Sequence, residues 1–137
     1  MILLDTGPIV AFFDASDHYH DACIELLKTV NEPLLTTWPV LTEAFYLLGF
    51  SWKAQDNLWE FIIRGGVDII SLNDTQQARC RQLMEKYSDL PMDLADGTLV
   101  TLAESQRIKK VLTLDHKDFR IYKPARIKNF TLIPARI

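Results

Sequence analysis

Short aliphatic segments alternate along this chain with longer segments whose apolar residues recur at helical spacing. The predicted strands are Ile2–Leu4 and residues 34–35, 67–72, 111–114 and 130–133. Strands that are aliphatic along their whole length are typical of a parallel sheet, in which helices cover both faces. The alternation therefore predicts an α/β fold built around a parallel sheet.

Turn and capping residues set the bounds of the predicted helices. Pro39 suits the first turn of a helix that Gly49 follows, and Ser51 can cap the next helix. Asn73 or Asp74 can cap the one after that. The predicted helices cover residues 17–30, 39–48, 52–64, 74–87 and 93–107, and the segment from Pro8 onward is also typical of a helix. A chain of 137 residues is long enough for one core, so we expect a single domain over 1–137.

The composition is that of a globular protein, with 48% hydrophobic and 24% charged residues. No apolar segment approaches the roughly 20 residues that span a bilayer, so we expect no membrane association. The N-terminal residues lack the features of a secretory leader. Cys23 and Cys80 lie far apart on predicted helices, and we expect reduced, buried thiols and a cytoplasmic location.

Charge is unevenly distributed along the chain. Residues 1–104 contain 6 Lys/Arg and 16 Asp/Glu, a net charge of −10, whereas residues 105–137 contain 9 Lys/Arg and 2 Asp/Glu, a net charge of +7. An acidic body with a basic C-terminal segment suits a polyanionic substrate held beside an acidic, metal-loaded pocket. A solvated basic edge without a ligand is the alternative.

Five carboxylates occur where one predicted element gives way to the next or on a predicted helix: Asp5, Glu43, Asp93, Asp96 and Asp115. Asp5 and Asp115 follow predicted strands, and ligands of such sheets bind outside the carboxyl ends of the strands. Asp93 and Asp96 are three residues apart and share one helix face, although Asp93 is also in position to serve only as a helix cap. Acids next to apolar segments need a partner, and a divalent metal ion provides one.

Mg²⁺ and Mn²⁺ prefer hard oxygen ligands such as carboxylates. One or two such ions can activate water and polarise a phosphodiester, which makes a nuclease the predicted function. No His or Cys cluster has zinc spacing. His18 and His20 lie two residues apart on different helix faces and are predicted to be surface residues.

Four stretches of the chain resemble the motifs of PIN-domain ribonucleases, especially the VapC-like toxins of type II toxin–antitoxin pairs. The stretches are Leu3-Leu4-Asp5-Thr6-Gly7-Pro8, Leu41-Thr42-Glu43-Ala44, Met92-Asp93-Leu94-Ala95-Asp96-Gly97 with Leu99-Val100-Thr101-Leu102-Ala103, and Leu112-Thr113-Leu114-Asp115-His116-Lys117-Asp118-Phe119. Each motif alone is weakly specific, but the four occur in the family's order and cover nearly the whole chain.

The resemblance implies a PIN-like three-layer domain with a central parallel β-sheet flanked by helices. It also implies an endoribonuclease that uses Mg²⁺ or Mn²⁺ and a metal-activated water. Carried over by position, the catalytic and metal-binding acids are Asp5, Glu43, Asp96 and Asp115, with Asp93 as a possible fifth ligand. Thr6, Thr113 and Asp118 would orient those acids or a water molecule from beside them. A homodimer and a cognate antitoxin are implied as partners, and we expect Lys117 and Arg120 in the basic segment to contact RNA.

Other functions fit the motifs less well. Asp5-Thr6-Gly7 is similar to the aspartic protease signature, but those proteases need two such motifs or a homodimer, in a mostly β fold. A phosphatase with a nucleophilic aspartate would have a second acid at the position of Gly7, and a dinucleotide site needs a glycine-rich turn after the first strand. The remaining alternative is a PIN-like module that binds RNA or protein without cleaving it.

Aromatic residues are concentrated in the two middle predicted helices and their flanks. They are Trp38, Phe45, Tyr46, Phe50, Trp52, Trp59 and Phe61. We expect most of them in the core and in helix–helix packing, with some available for a partner surface.

Overall fold

The computed structural model describes residues 1–90 and 92–136. Five short strands form one sheet: β1 (Ile2–Leu4), β2 (Leu34–Thr36), β3 (Asp68–Ile69), β4 (Lys110–Leu112) and β5 (Thr131–Ile133). Their order across the sheet is β3-β2-β1-β4-β5, and every neighbouring pair is parallel. The predicted α/β fold with a central parallel sheet is therefore confirmed.

Seven helices flank the sheet. They are α1 (Thr6–Phe13), α2 (His20–Thr29), α3 (Trp38–Leu47), α4 (Trp52–Ile63), α5 (Asp74–Lys86), α6 (Leu94–Gln106) and α7 (His116–Ile121). None of the helices in the described part of the chain is long and apolar enough to cross a membrane.

Local sequence signals account for several helix ends. Ser51 caps α4 by accepting a hydrogen bond from the backbone N–H of Ala54. Asn73, rather than Asp74, caps α5 in a reciprocal pair with Gln76. Gly65 follows α4 with φ of +81°, a conformation that glycine adopts without steric cost.

The core lies on both sides of β1 and β4 and around α6. All residues of β1 are buried, and the α6 residues from Ala95 to Glu104 are buried without interruption. A helix that is buried on every side belongs to the interior of a domain. Because α6 is enclosed, any acid on it must find a partner inside the protein or in a pocket. Cys23 and Cys80 are also buried and form no disulfide, as expected.

Several sequence predictions were wrong in detail. Strand β3 covers Asp68–Ile69 rather than residues 67–72, and β4 ends at Leu112 rather than at residue 114. Asp115 therefore does not follow a strand directly but caps α7, a six-residue helix that was not predicted. The first helix begins at Thr6, and the second begins at His20 instead of residue 17.

The expected packing of the aromatic residues was correct for Phe45 and Phe61 at the core and for the Trp38–Trp59 contact between α3 and α4, but burial was wrong for several of them. The exposed ones are Trp38, Tyr46, Phe50, Trp52 and Trp59, with exposed fractions from 37% to 82%. Only Phe45 and Phe61 of that set pack against the core. An apolar residue on an amphipathic helix can face a core or an unpartnered surface, and helical spacing alone does not distinguish the two.

Candidate active site

One pocket of about 510 Å³ is lined by all the acids that the sequence motifs singled out. Its lining contains the carboxylates of Asp5, Asp17, Glu43, Asp93, Asp96, Asp115 and Asp118, together with Thr6, Gly7, Val10, Tyr19, Leu47 and Leu114. No Lys, Arg or His is among these residues of the described chain. We call this cavity the acid pocket. All five predicted metal-binding acids line it.

Asp5 is the most firmly held of these acids. It follows the central strand β1 and caps α1, with Oδ1 accepting a hydrogen bond of 2.8 Å from the backbone N–H of Thr6. Its Oδ2 accepts a second hydrogen bond of 2.7 Å from Thr113 Oγ1. Burial raises the pKa of Asp5 to about 6, and the two hydrogen bonds only partly oppose that rise.

Thr113 connects two of the acids across the loop after β4. While its hydroxyl donates to Asp5, its Oγ1 accepts a hydrogen bond of 2.9 Å from the backbone N–H of Asp115. Asp115 is exposed and in turn accepts a bond of 3.3 Å from the backbone N–H of Asp118. One threonine therefore sets the separation between the acids that follow β1 and β4.

Asp93 and Asp96 stand at the start of α6. Asp93 is exposed and caps the helix through the backbone N–H of Asp96, at 2.9 Å. Asp96 is only 9% exposed, and its Oδ2 accepts a hydrogen bond of 2.7 Å from the hydroxyl of Tyr122. Burial raises the pKa of Asp96 to about 8, and the hydrogen bond from Tyr122 only partly lowers it. Asp93 thus serves as a cap and also lines the acid pocket.

Glu43 reaches the pocket from the middle of α3. It is half-buried, and its Oε2 accepts a hydrogen bond of 3.0 Å from Thr6 Oγ1. Burial raises the pKa of Glu43, and the neighbouring carboxylate of Asp93 raises it further. Thr6 therefore links α1 to the acid on α3.

Asp118 and Asp115 form a second pair of carboxylates in contact. Burial raises the pKa of Asp118 to about 6, and contact with Asp115 adds to the rise. Two neighbouring carboxylates repel each other unless one takes up a proton or a cation lies between them. The acid pocket contains two such contacts, counting Glu43 with Asp93.

The donor chemistry of the acid pocket fits Mg²⁺ or Mn²⁺, since every charged group in its lining is a hard oxygen ligand. Within residues 1–90 and 92–136, no three His, Cys, Asp or Glu side chains converge closely enough to enclose one ion. Mg²⁺ does not require such convergence, because it usually keeps several waters and takes one or two protein carboxylates. The lining is therefore compatible with hydrated ions rather than with a closed cage.

Three predicted site residues lie outside the lining of the acid pocket: Thr113, which is buried, and Lys117 and Arg120. Lys117 and Arg120 are exposed on α7 and do not line the cavity. Lys117 is near enough to Asp118 for its positive charge to lower the pKa of that carboxyl. Burial and Asp115 raise the same pKa by more.

Sequence reasoning missed two residues at the site. Asp17 lines the acid pocket but was assigned to a helix, whereas it lies in the turn before α2. Tyr122 holds Asp96 and is 2% exposed, yet it follows α7 without any recognisable motif. The aromatic cluster of Tyr122 with Tyr87 and Phe119 explains its burial, and no sequence signal reveals its hydroxyl bond.

Comparison with known proteins identifies similar chains. A family model described as the PIN domain matches residues 2–124. Ribonuclease VapC26 of Mycobacterium tuberculosis (strain ATCC 25618 / H37Rv) is 26% identical over 135 residues, which cover 97% of this chain and 100% of that protein.

Two solved structures have a similar fold. The crystal structure of Mycobacterium tuberculosis VapC20, a Sarcin-Ricin loop cleaving toxin, superposes with a TM-score of 0.70 at 17% identity, over 81% of this chain and 87% of that one. A toxin–antitoxin complex from Klebsiella pneumoniae contains a chain with a TM-score of 0.67 at 17% identity, over 100% of this chain and 96% of that one. At such identities the likeness concerns the fold.

Proposed function

Because this chain belongs to the PIN-domain family, we propose that it is an endoribonuclease that hydrolyses RNA phosphodiester bonds with the aid of Mg²⁺ or Mn²⁺. Its 26% identity to a ribonuclease along almost the full length of both proteins supports RNA as the substrate. The proposal further assigns this chain the role of toxin in a toxin–antitoxin pair.

The observation that carries this proposal is the acid pocket. Asp5, Glu43, Asp96 and Asp115, the four acids that match the family's motifs, line one cavity although they come from four different parts of the chain. Their pocket contains no basic side chain among the described residues, so these acids are neutralised either by taking up protons or by a mobile cation.

The chain's own residues then have separate tasks. Asp5 is fixed by the hydrogen bonds from Thr6 and Thr113 and presents a carboxylate of defined orientation. Tyr122 fixes Asp96 in the same way. A divalent ion bound here would polarise the scissile phosphodiester and make a water molecule more acidic. No nucleophilic side chain is required, so the proposed reaction has no covalent protein intermediate.

Lys117 and Arg120 are proposed to hold the RNA backbone. Both are exposed on α7, the helix that Asp115 caps, so their charges stand beside the acid pocket. Phosphate contacts by Lys and Arg provide affinity that falls with salt concentration. This proposal gives the basic C-terminal segment its function.

An antitoxin and a second copy of the chain are the proposed protein partners. Tyr46, Phe50 and Trp52 are 82%, 65% and 70% exposed around the α3–α4 connection, and large exposed apolar surfaces often mark interfaces. An antitoxin arginine that enters the acid pocket would supply the positive charge otherwise provided by metal ions. An antitoxin that binds but leaves RNA cleavage at its full rate would contradict that mode of inhibition, and a monomer by sedimentation velocity would exclude the homodimer.

The decisive experiment measures cleavage of an end-labelled RNA pool with Mn²⁺, with Mg²⁺ and with EDTA. Asp5→Asn should lower the rate by at least about 10³-fold, equivalent to about 4 kcal/mol of transition-state stabilisation, because it removes a carboxylate from the metal site. The matched control is Asp89→Asn, which changes an exposed aspartate outside the acid pocket and should cleave at the wild-type rate.

Two outcomes would oppose the proposal. A folded Asp5→Asn protein that cuts at the wild-type rate would remove Asp5 from the catalytic machinery. Well-folded, metal-loaded wild-type protein that cuts no RNA would favour a PIN-like module that binds RNA or protein without cleavage.

A further inference from the structure

A second cavity adjoins the acid pocket. It has a volume of about 380 Å³ and is lined by Trp38, Pro39, Thr42, Glu43, Asp93, Leu94 and Ala95. Glu43 and Asp93 line both cavities, so the two are continuous through these carboxylates. We call the second cavity the Trp38 groove.

The indole of Trp38 is exposed, and the backbone that carries it is held in place. It is 45% exposed at the start of α3, where Thr37 before it is 1% exposed and Pro39 after it restricts the backbone. Thr42 Oγ1 donates a 2.8 Å hydrogen bond to the carbonyl oxygen of Trp38. The centroid of its ring lies 6.4 Å from the centroid of the Trp59 ring, and the two ring planes are inclined at 55°.

The Trp59 ring is in turn supported from the core side. Its centroid lies 4.7 Å from the centroid of the Phe45 ring, and Phe45 packs against the hydrophobic core. A supported ring loses little conformational freedom when a ligand stacks on it, so the cost of binding is small. The exposed indole is therefore a preorganised platform.

The chemistry of the groove fits a flat, hydrogen-bond-donating ring. Trp38, Pro39 and Leu94 offer apolar surface, and Leu94 is 52% exposed. The carboxylates of Glu43 and Asp93 at the shared rim only accept hydrogen bonds when ionised, which suits the N–H groups of a nucleobase. The same carboxylates repel a phosphate that enters the groove without a cation.

An apolar protein segment fits the groove less well. Covering Glu43 and Asp93 with apolar side chains would desolvate two carboxylates without giving them hydrogen-bond donors. A nucleobase supplies both the apolar face and the donors. Single-stranded RNA is commonly bound by stacking its unpaired bases on aromatic side chains.

We propose that the Trp38 groove is a nucleobase subsite, in which a base stacks on the indole while a neighbouring phosphate of the same RNA strand lies in the acid pocket. The inference rests on the proposed function, because it takes the acid pocket as the position of the phosphate. Trp38 is then a positioning residue that aligns the strand.

The test is equilibrium binding, with no cleavage step in the readout. A short single-stranded RNA and an abasic ribose-phosphate strand of equal length are titrated with protein in Ca²⁺, an ion that also takes oxygen ligands. The wild-type protein should bind the base-bearing strand about tenfold more tightly than the abasic strand, within the range known for base–aromatic stacking.

Three variants separate stacking from general effects. Trp38→Ala should abolish the preference for the base-bearing strand, and Trp38→Phe should restore most of it because phenylalanine also stacks. The matched control is Trp52→Ala, which removes another exposed tryptophan that lines neither cavity and should keep the full preference. Equal melting temperatures for all variants would show that the fold is intact.

Several outcomes would overturn the proposal. These are equal wild-type affinity for the two strands, or no binding of either, or an equal loss of affinity for both strands in Trp38→Ala. Unchanged RNA binding in Trp38→Ala together with lost self-association or antitoxin binding would assign the groove to a protein partner. Because the assay needs no cutting, a failed nuclease proposal and a failed subsite proposal give different results.

Discussion

Asp96 and Glu104 lie roughly two turns apart on the same helix, α6. They are almost equally buried, at 9% and 6% exposure. Glu104 accepts two hydrogen bonds of 2.8 and 2.9 Å from the guanidinium of Arg79 and a third of 2.9 Å from the backbone N–H of Ala125. Asp96 accepts one from Tyr122, a neutral group.

The two environments shift the pKa values in opposite directions. Burial alone would raise the pKa of Glu104, but the hydrogen bonds from Arg79 and Ala125 outweigh it and lower that pKa. Burial raises the pKa of Asp96 to about 8, and Asp5, Asp93 and Asp115 add to the rise. The two acids are similarly buried on one helix, yet their ionisation differs. Glu104 stays ionised beside Arg79, whereas Asp96, held by the neutral hydroxyl of Tyr122, has a raised pKa.

The difference separates an acid with a structural role from one that we propose to be functional. Arg79 joins α5 to α6, and the bond to Ala125 attaches the segment after α7, so the Glu104 cluster holds three parts of the chain together. The acid pocket has no such built-in cation in the described chain. Perturbed pKa values without a permanent partner are typical of sites that exchange ions or substrates.

The largest expected effect on stability comes from removing Arg79, the cation that pairs with Glu104. Arg79→Ala should lower the free energy of unfolding by about 2–3 kcal/mol, because it leaves Glu104 buried and unpaired. Asp96→Asn, measured in EDTA at neutral pH, should leave stability equal or higher, because asparagine still accepts the hydrogen bond from Tyr122. Urea denaturation of the two variants gives both values.

A matched control is available on α5. Arg81 is exposed on the same helix, so Arg81→Ala should change stability by no more than about 0.5 kcal/mol. If Asp96→Asn destabilised the protein as much as Arg79→Ala, the acid pocket would be a structural network like that of Glu104, and the comparison would fail.

The pH dependence of stability should also separate the two acids. Because the pKa of Asp96 is raised from 3.8 in the unfolded chain to about 8, its contribution is full below pH 4 and is lost as pH rises toward 8. Asp5, with a pKa of about 6, acts in the same direction. Glu104 has the opposite sign, and its contribution is lost only as pH falls below the ordinary range of a glutamate.

Metal-free protein should therefore lose unfolding free energy steadily between about pH 5 and pH 7.5. Saturating Mn²⁺ should remove most of this loss, because an ion that binds only the folded protein stabilises it and neutralises the acids. Asp96→Asn should flatten the metal-free profile, whereas Arg81→Ala should not. A metal-free protein that gains stability over this interval would contradict the proposed electrostatics of the acid pocket.

The sequence predicted which acids line the acid pocket better than it predicted their partners. Asp5 could be identified because it follows an aliphatic strand, and Asp93 and Asp96 because their spacing suits a helix start. The roles of the Tyr122 hydroxyl and the Arg79 guanidinium could not be identified from the sequence, because each lies about 25 residues away from the acid that it contacts. Such pairs depend on how helices pack, which periodicity does not specify.

The same holds for the fold, where the sequence identified the main helices and strands better than it identified their first and last residues. The alternation of aliphatic and helical segments identified five strands and their parallel arrangement. It failed at α7, since six residues are too few to show a helical period and only the cap at Asp115 marks the start. It failed also for Trp38 and Trp52, since an aromatic residue on an exposed face has the same spacing as one in the core.

The smallest effect on stability concerns the cations that stand beside the acid pocket without filling it. Replacing Lys117 and Arg120 by glutamine should change the free energy of unfolding by less than about 0.5 kcal/mol, in contrast to Arg79, because both are exposed. RNA binding should nevertheless weaken, and the slope of log K against log salt should become shallower by about one for each phosphate contact that is lost. An unchanged slope would make these two residues part of a solvated edge. A large loss of stability would mean that they neutralise the pocket permanently, as Arg79 neutralises Glu104.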